Sequence, residues 1–500
     1  MDCNTDKTSP RDAEWRVRLR EAMSAKERAA IPRAKMPMLD PAYRITCNEE
    51  VNQGLSAEQA VLEAKRCLDC PDPQCVTGCP VGIDIPGFIK KIQREAFAEA
   101  ASVLKATSAL PAVCGRVCPQ EKQCESRCIY NKMKKQPVAI GYLERFAADT
   151  ERTAGSRASV TKEAPRGIKI AVAGSGPAGL SFAGDMIKRG YDVTVFEALH
   201  EIGGVLKYGI PEFRLPNEVV NAELDALREL GVKFRKDCII GKTLSYDDLL
   251  AEGYRAVFVA SGAGLPRFMG IPGENLSGVM SSNEYLTRIN LMGAGHGGMT
   301  PVAHGKRVAV IGGGNTAMDS VRTARRMGAE RAMIIYRRSE AEMPARLEEV
   351  EHAKEEGVEF LTLCNPVEYR GDEQGRVKSM LVQRMELGEP GPDGRRSPVA
   401  IEGAIDELEV DEVIVSVGVS PNPLIPDSID GLAVSRRGTI EVDDDLRSSI
   451  PLIFAGGDIV RGGATVILAM GDGRRAAAAM HRFLSREKGG VKYFLAEIRY

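Results

Sequence analysis

The chain has 500 residues, which suggests about three domains and a core large enough to need no covalent staples. Its 67 basic and 69 acidic residues give a net charge of −2, which excludes a global electrostatic attraction to nucleic acid or an anionic membrane. With 5% aromatic residues, a surface that stacks the bases of single-stranded nucleic acid is not indicated. The first residues contain no apolar signal segment, and no apolar run reaches the roughly 18 residues of a membrane span, so we expect a cytoplasmic protein.

Cysteines are over-represented in the first third of the chain. Eight of them form two runs, the first made of Cys67, Cys70, Cys75 and Cys79 and the second of Cys114, Cys118, Cys124 and Cys128. Without export, disulfides are not expected, and such clustering favours metal binding. Zinc sites usually combine two C-x2-C pairs, whereas a four-cysteine run ending in Cys-Pro is typical of bacterial ferredoxins. We therefore predict two [4Fe–4S] clusters in an α-helical domain over residues 1–149; spacing alone leaves open whether Cys114 is a ligand.

A polar stretch over 150–166 is predicted to be a linker, after which strands alternate with helices in the order of an α/β fold with parallel sheets. The first strand ends in a Gly-x-Gly-x-x-Gly turn that opens a helix, the fingerprint of a dinucleotide site. Glu197 ends the next strand, where a carboxylate can bind a ribose. The predicted binding residues of this first loop are Gly174, Ser175, Gly176, Pro177 and Gly179.

The same strand, glycine turn, helix and strand recur later in the chain, so the fold contains two Rossmann-like units. The predicted binding residues of the second loop are Gly312, Gly314, Asn315, Thr316 and Ala317. Its second strand ends in Arg337 and Arg338 instead of an acid. Planar guanidinium groups suit a ribose 2′-phosphate, so NADP(H) is favoured over NAD(H). Arg346 is a further candidate, with pairing to Glu349 on its own helix as the alternative.

Two different dinucleotide sites in one chain suggest a flavin that exchanges hydride with a nicotinamide, and the first site, with its acid, suits FAD. Late in the chain, Gly457 and Asp458 follow an apolar strand and could meet the ribityl chain. A helix beginning near Ala464 and Thr465 could direct its N-terminus to the flavin ring. The predicted order is an FAD-binding domain over 167–290, an inserted NADP(H)-binding domain over 291–410, and the rest of the FAD-binding domain with a C-terminal tail over 411–500.

Eight segments carry a family resemblance between about Met38 and Arg482: CLDCPDPQCVTGCPVGIDIPGFI, CGRVCPQEKQCESRC, PVAIGYLERF, AGSGPAGL, YGIPEFRLP, GGGNTAMD, YRRSEAEMPAR and AGGDIVRGGATVILAMGDGR. Together they resemble the glutamate synthase small-subunit family of FAD/NADPH iron–sulfur oxidoreductases, which also forms the N-terminal half of dihydropyrimidine dehydrogenase. Within that family the chain looks most like the large subunit of the electron-bifurcating NADH-dependent reduced ferredoxin:NADP+ oxidoreductase.

The resemblance implies a ligand set that differs from simple counting. One cluster would take Cys67, Cys70, Cys75 and Cys128, and the other would take Cys79, Cys118, Cys124 and a side-chain oxygen of Glu144. Cys114 would then not be a ligand. Gly204 and Arg214 join the predicted cofactor-binding residues, Arg214 on the strength of the resemblance alone.

These assignments predict an enzyme that exchanges hydride between NADP(H) and FAD and passes single electrons through two clusters to a partner. The resemblance implies a smaller flavin/[2Fe–2S] subunit that handles NAD(H), together with ferredoxin, for which the basic segment KMKK at 132–135 is the expected docking place. The alternatives are the small subunit of glutamate synthase with its large subunit as partner, the electron-input subunit of dihydropyrimidine dehydrogenase, and an inert cluster-bearing scaffold.

Overall fold

A domain of short helices carries both cysteine runs. The computed structural model describes residues 10–155, 160–294, 298–392 and 394–487. The helices of this first domain are α1 Glu14–Glu21, α2 Ala25–Ala30, α3 Pro41–Arg44, α4 Ala57–Arg66, α5 Gln74–Thr77, α6 Ile85–Gln93, α7 Phe97–Thr107, α8 Pro111–Val117, α9 Ile129–Lys132 and α10 Ile140–Thr153. Their starts follow local rules: Ser56 begins α4 with a capping box, and Asp84 caps α6 by accepting from the Gly87 amide.

The first α/β unit follows, and its elements are β1 Lys169–Ala173, α11 Pro177–Lys188, β2 Asp192–Phe196, α12 Val205–Tyr208, α13 Asn217–Glu229, β3 Lys233–Arg235, α14 Tyr246–Ala251 and β4 Tyr254–Val259. The chain then passes through β5 Leu265–Pro266 into the second unit. The second unit contains β6 Val279–Ser281, α15 Ser282–Leu286, β7 Arg307–Ile311, α16 Asn315–Arg326, β8 Arg331–Tyr336, α17 Leu347–Glu355, β9 Glu359–Thr362, β10 Cys364–Gly371, β11 Val377–Pro390, β12 Arg396–Glu409 and β13 Glu412–Val415. The last elements are β14 Val419–Ser420, β15 Ile453–Ala455, α18 Asp458–Arg461 and α19 Val466–Glu487.

Two parallel sheets result, with strand orders β15-β4-β1-β2-β3 and β6-β13-β7-β8-β9. Because β15 joins the first sheet beside β4, the second unit is inserted into the first, which confirms the predicted fold class. A three-stranded antiparallel sheet, β10-β11-β12, adjoins the second unit. The strand order reverses between β1 and β4 in the first sheet and between β7 and β13 in the second, which is where open α/β sheets bind ligands.

The limits predicted for the insertion, 291 and 411, are wrong. β6 pairs with β13, and β13 pairs with β7, so the second sheet extends from about 279 to about 415. An apolar run such as that of β13 suits either buried sheet, and only hydrogen-bond pairing distinguishes the two. The predicted linker also begins inside a helix, because α10 continues to Thr153. Residues 156–159 of that linker, and the predicted tail from 488 onward, lie outside the described residues.

Helix α19 is the longest helix that the structure describes, yet it is not a membrane segment. Across the described ranges, no helix combines the length and the apolar character that crossing a membrane requires. Instead α19 packs along α11, and glycine makes this possible: a Cβ at Gly473 would lie 2.3 Å from the Ala178 carbonyl oxygen.

Helices α8 and α10 cross at Gly115, which gives a test of the cluster domain's packing. A Cβ at this position would lie 2.5 Å from the Arg145 amide nitrogen, and backbone cannot yield as a flexible side chain does. We expect Gly115→Ala to lower the free energy of unfolding by about 1–3 kcal/mol, measured by urea unfolding of the full chain. Ser102→Ala, on the exposed face of α7, is the control; equal stability of the two variants would contradict this packing.

Candidate functional site

Both glycine loops open onto one cavity of about 1750 Å³ at the carboxyl ends of the two parallel sheets. Gly174 (φ 109°) and Gly312 (φ 141°) occupy the same position in their loops. At either one, a Cβ would lie 2.4 Å from the carbonyl oxygen of the residue that follows a neighbouring strand. At Gly176 and Gly314, by contrast, a Cβ would meet nothing within 4 Å. The first glycine of each loop therefore permits the turn, and the middle one leaves room for a pyrophosphate to approach the backbone.

The cavity brings together most of the predicted cofactor residues. Its lining includes Gly174, Ser175, Gly176, Pro177, Glu197, Gly204, Arg214, Gly312, Gly314, Asn315, Thr316, Arg337, Arg338, Asp458, Ala464 and Thr465. Gly179 and Ala317 lie behind it, where a Cβ on Gly179 would lie 2.0 Å from the Gly174 carbonyl oxygen. This is the helix–strand packing role of the third position of the fingerprint. Gly457 adjoins the cavity through Asp458 without lining it.

Glu197 holds the first loop together. Its carboxylate accepts hydrogen bonds from the Ser175 amide (3.0 Å), the Ser175 hydroxyl and the Leu199 amide (2.9 Å). The Ser175 hydroxyl in turn accepts from the Gly203 amide at 2.9 Å, next to Gly204. A carboxylate with remaining acceptor capacity thus faces the cavity where the sequence predicts ribose binding.

Asp458 begins α18 and also lines the cavity. Its carboxylate accepts from the Ala464 amide at 3.2 Å, which ties it to the start of α19. Burial raises the pKa of Asp458 to about 6. Behind it, Asp472 accepts from the Gly457 amide at 3.1 Å and forms an ion pair with Arg461, so the loop before α18 is held from within α19.

Strand β8 of the second unit is followed by two arginines with different surroundings. Arg337 is exposed, whereas Arg338 is half-buried and donates from Nε to the Arg396 carbonyl oxygen at 2.8 Å. Asn315, at the start of α16, accepts from the Arg346 amide at 2.9 Å. Arg337 and Arg338 both line the cavity.

The prediction that Arg346 binds a cofactor is wrong. Its buried guanidinium points away from the cavity and donates to the Arg116 carbonyl oxygen (2.6 Å), the Gln120 side chain (3.2 Å) and Glu348 (2.9 Å). The ion pair between Arg346 and Glu349, given as the alternative, does not form either. Arg346 therefore joins the second α/β unit to the cluster domain, a contact between distant segments that sequence spacing does not reveal.

Arg214 lines the cavity, but its charge is already paired. Its guanidinium lies 2.7 Å from both oxygens of Asp319 on α16 and 3.1 Å from Glu349 on α17. These carboxylates raise the pKa of Arg214 above its ordinary value despite burial, which acts in the opposite direction. Arg214 thus links the first α/β unit to the second.

The clustered cysteines fall into two groups of neighbours, all with free thiols. In the first group, burial and the nearby Cys67 and Cys128 raise the pKa values of Cys70 and Cys75. In the second, burial and Glu144 raise the pKa of Cys79 to about 11. A hydrogen bond with Cys114 and burial raise the pKa of Cys118, and burial raises that of Cys124, with Glu144 contributing to both. Among the described residues, no three such side chains converge closely enough to form a site for a single metal ion.

Glu144 and Cys114 differ in how their polar atoms are used. Glu144 is 5% exposed, its Oε1 has no hydrogen-bond partner within the described chain, and burial raises its pKa to about 8. An unsatisfied buried carboxylate beside three thiols fits the role of a cluster ligand. Cys114 contacts the Met470 sulfur at 3.5 Å and the Ser108 hydroxyl at 3.9 Å, which packs it against α19, and it also forms a side-chain hydrogen bond with Cys118.

Comparison with known proteins shows which families match each part of the chain. Residues 168–473 match the family described as pyridine nucleotide-disulphide oxidoreductase, and residues 44–156 match the family described as dihydropyrimidine dehydrogenase domain II, 4Fe-4S cluster. The glutamate synthase [NADPH] small chain of Escherichia coli K12 is 37% identical over 443 residues, which are 87% of this chain and 93% of that protein. This chain belongs to the glutamate synthase small-chain family.

A further relative and a solved structure are also similar to this chain. The putative oxidoreductase UacF of Escherichia coli K12 is 38% identical over 86% of this chain and 68% of its own length. The solved structure of Mycobacterium tuberculosis FprA in complex with NADPH superposes with a TM-score of 0.56 at 21% identity, covering 65% of this chain and 86% of that one, which shows a shared fold. Like its family, the protein is an NADP-dependent flavin and iron–sulfur oxidoreductase with FAD, NADP(H) and [4Fe–4S] clusters as cofactors.

Sequence reasoning did not find two residues in and behind the cavity, Tyr208 and Asp472. Tyr208 lines the cavity, and its pKa is raised to about 12 by burial and by the carboxylates of Asp458 and Glu197. Its only signal was its place in the YGIPEFRLP segment. Asp472 gave no signal beyond the family segment that contains it, because its partner Arg461 is reached only when α19 folds back.

The raised pKa of Asp458 predicts a pH-dependent stability. Since ionisation of this carboxyl costs the folded state, its contribution is present at low pH and is lost as the pH rises through about 6. In the flavin-depleted chain, Asp458→Asn should therefore increase the free energy of unfolding at pH 8 by on the order of 2 kcal/mol and change it little at pH 4. The exposed Asp427→Asn is the control, and equal effects at both pH values would contradict the prediction.

Proposed function

We propose that this chain is the NADP(H)-binding, electron-bifurcating subunit of a ferredoxin:NAD(P) transhydrogenase complex. The observation that carries the proposal is spatial: a single cavity contains both dinucleotide loops, and the helix that begins at its wall contacts the cysteine domain. When bound, FAD exchanges hydride with the nicotinamide and the clusters carry single electrons. The protein's contribution is to place these groups and to set the polarity around each.

On the flavin side, Glu197 and Asp458 both line the cavity and would offer carboxylate oxygens to ribose and ribityl hydroxyls. The open backbone at Gly176 and the N-terminus of α11 would hold the pyrophosphate. At the second loop, Gly314 and the N-terminus of α16 would do the same for NADP(H). Arg337 and Arg338 would bind its 2′-phosphate, because guanidinium groups match phosphate geometry.

For the clusters, we propose Cys67, Cys70, Cys75 and Cys128 as one ligand set and Cys79, Cys118, Cys124 and Glu144 as the other. The grouping of thiols described above supports this division, and so does the unsatisfied oxygen of Glu144. A carboxylate is a harder ligand than a thiolate and would distinguish the second cluster from the first. Cys114, already in contact with Met470, remains outside both sets.

The two sets would stand at different distances from the flavin cavity. A Cβ at Gly471 of α19 would lie 3.0 Å from Pro80, the residue that follows Cys79, so the Cys79 set lies against the helix that begins at the cavity. At the other side, Cys128 leads directly into α9 and the exposed Lys132 and Lys134. The Cys67 set is therefore the one beside the surface where we place an electron-accepting partner.

The proposed partners are ferredoxin, an acidic carrier suited to the basic 132–135 segment, and a smaller flavin/[2Fe–2S] subunit that handles NAD(H). Electron balance fixes the net reaction. Two NADPH, two oxidised ferredoxins and one NAD+ would give two NADP+, two reduced ferredoxins, one NADH and one proton, or the reverse. Each hydride from NADPH divides into one electron for ferredoxin and one toward NAD+.

A second candidate is the small subunit of glutamate synthase, which feeds electrons to a large glutamine-hydrolysing subunit. The specific support is the 37% identity to the Escherichia coli small chain across 93% of that protein. The same cavity and cysteine sets would serve either complex. The two candidates therefore differ in the partner and not in the site.

The two arginines at the end of β8 give a test of nucleotide choice. Replacing both, Arg337→Ala with Arg338→Ala, should raise KM for NADPH by about 10–100-fold, since two charge-assisted contacts are lost, and should leave NADH oxidation almost unchanged. Arg331→Ala at the start of β8, where the side chain pairs with Glu359 at 2.8 Å, is the control. If KM for both nucleotides changed equally in steady-state assays, these arginines would not select the 2′-phosphate.

Isolation of the native complex decides between the two candidates. We expect a small flavoprotein to copurify, and NADP+ reduction in the complex to require NADH and reduced ferredoxin together. A full rate with NADH alone would rule out bifurcation. Copurification of a very large subunit, with NADPH oxidation that depends on glutamine and 2-oxoglutarate, would assign the chain to glutamate synthase instead.

A further inference from the structure

A buried lysine lies directly behind the first cysteine set. Lys90 on α6 is 0% exposed, and its ammonium group donates to the Cys67 carbonyl oxygen at 2.6 Å and to the Gln93 side-chain oxygen at 2.7 Å. Within the ranges that the structure describes, Lys90 forms no ion pair with a carboxylate. A lysine without a counter-ion is costly to bury unless another negative group balances it.

A second cation belongs to the same layer. Arg28 on α2 is 2% exposed and donates to the Lys65 carbonyl oxygen at 2.7 Å and to the Gln93 oxygen at 3.3 Å. The Gln93 amide oxygen therefore bridges Arg28 and Lys90. Arg28, too, forms no ion pair among the described residues, and both cations interact electrostatically with Cys67. We call Arg28 and Lys90 the cation pair.

Asp69 attracts both cations of the cation pair, but it is already bound by two other cations. Asp69, between Cys67 and Cys70, is fully buried, but its carboxylate is bound by Arg16 at 2.6 Å and by Arg20 at 2.7 Å. Two cations therefore already share this one anion. The surroundings of the Cys67 set carry an excess of positive charge supplied by α1, α2 and α6.

The surroundings of the Cys79 set are different. Glu144 stands among its thiols, and the buried Glu223 of α13 interacts with Glu144 while accepting from the Ala112 amide at 2.8 Å. Glu125 interacts with Cys124 and also with Cys128 of the first set, although its charge is paired with Arg33 at 2.7 Å. Buried carboxylates, and not unpaired cations, thus accompany the second set.

Reduction adds one negative charge to a cluster, and that charge is stabilised by nearby cations and destabilised by nearby anions, strongly so where water is excluded. We propose that Lys90, with Arg28, raises the reduction potential of the cluster held by the Cys67 set above that of the cluster held by the Cys79 set. Lys90 then affects cluster reduction through its charge and is not itself a ligand. The proposal rests on the cluster assignment proposed above.

The test is a redox titration of the purified full chain, with cluster reduction followed by electron paramagnetic resonance. Lys90→Gln keeps a donor for the Cys67 carbonyl oxygen but removes the charge. We expect the higher of the two midpoint potentials to fall, so that the reduced-to-oxidised ratio of that cluster at a fixed potential drops about tenfold or more, while the lower midpoint stays; a fall of the lower midpoint alone would contradict the proposed order. Lys90→Arg should restore the potential.

Lys91→Gln is the matched control. Lys91 is the next residue of α6, but it is turned toward Glu99 and toward the Trp15 ring, whose centroid lies 4.7 Å away. If Lys90→Gln loses iron, Arg28→Gln makes the same electrostatic test from α2, because its partners are carbonyl groups and Gln93. Unchanged midpoints in the iron-loaded variants would overturn the proposal. Cluster loss from both would also overturn it, since it would indicate a purely structural role.

The wild-type titration separates the two proposals. Fewer than two [4Fe–4S] signals in the wild-type chain would contradict the cluster assignment itself. Two signals that respond equally to Lys90→Gln and to Lys91→Gln would contradict only the role of the cation pair.

Discussion

Close backbone approach around helix α19 is the constraint on which the arrangement depends. Gly473 allows α19 to cross α11 behind the first glycine loop, and Gly471 allows it to reach Pro80 in the cysteine domain. The helix starts at the cavity wall beside Thr465, so about six residues, or roughly 9 Å of helix, separate the flavin side from the cysteine side. A side chain at either glycine would push the redox centres apart.

Buried ion pairs set the position of the second α/β unit. Arg214 from the first unit meets Asp319, and Arg322, with 0% side-chain exposure, meets Glu356 at 2.7 Å. From the N-terminal domain, Arg44 reaches the same Glu356 at 2.8 Å. Such pairs contribute little net stability, because desolvation opposes the Coulomb gain, but breaking one is costly. They therefore favour one orientation of the unit that carries NADP(H) over others.

The features that the sequence determined are local ones. The tight turn at Gly174 and the open one at Gly176 depend on the backbone of a few consecutive residues, so the glycine pattern revealed both loops. The same holds for the chemical contrast between Glu197 and Arg337, each at the end of its second strand. The cysteine runs were equally recognisable as clustered ligands, and the alternation of strands and helices was sufficient for the fold class. The insertion followed from assigning the late Gly457 and Asp458 to the first cofactor site.

Tertiary structure decided everything that depends on pairing between distant segments. The strand β13 could have joined either sheet until its hydrogen bonds to β6 and β7 were known. Arg346 carries the same charge as Arg337 and lies nine residues away, yet one points into the cluster domain and the other into the cavity. Lys90 reads as one of two adjacent lysines on a helix, and only folding places it behind Cys67. Side-chain type and spacing specify what a residue can bind, whereas its partner is set by long-range packing.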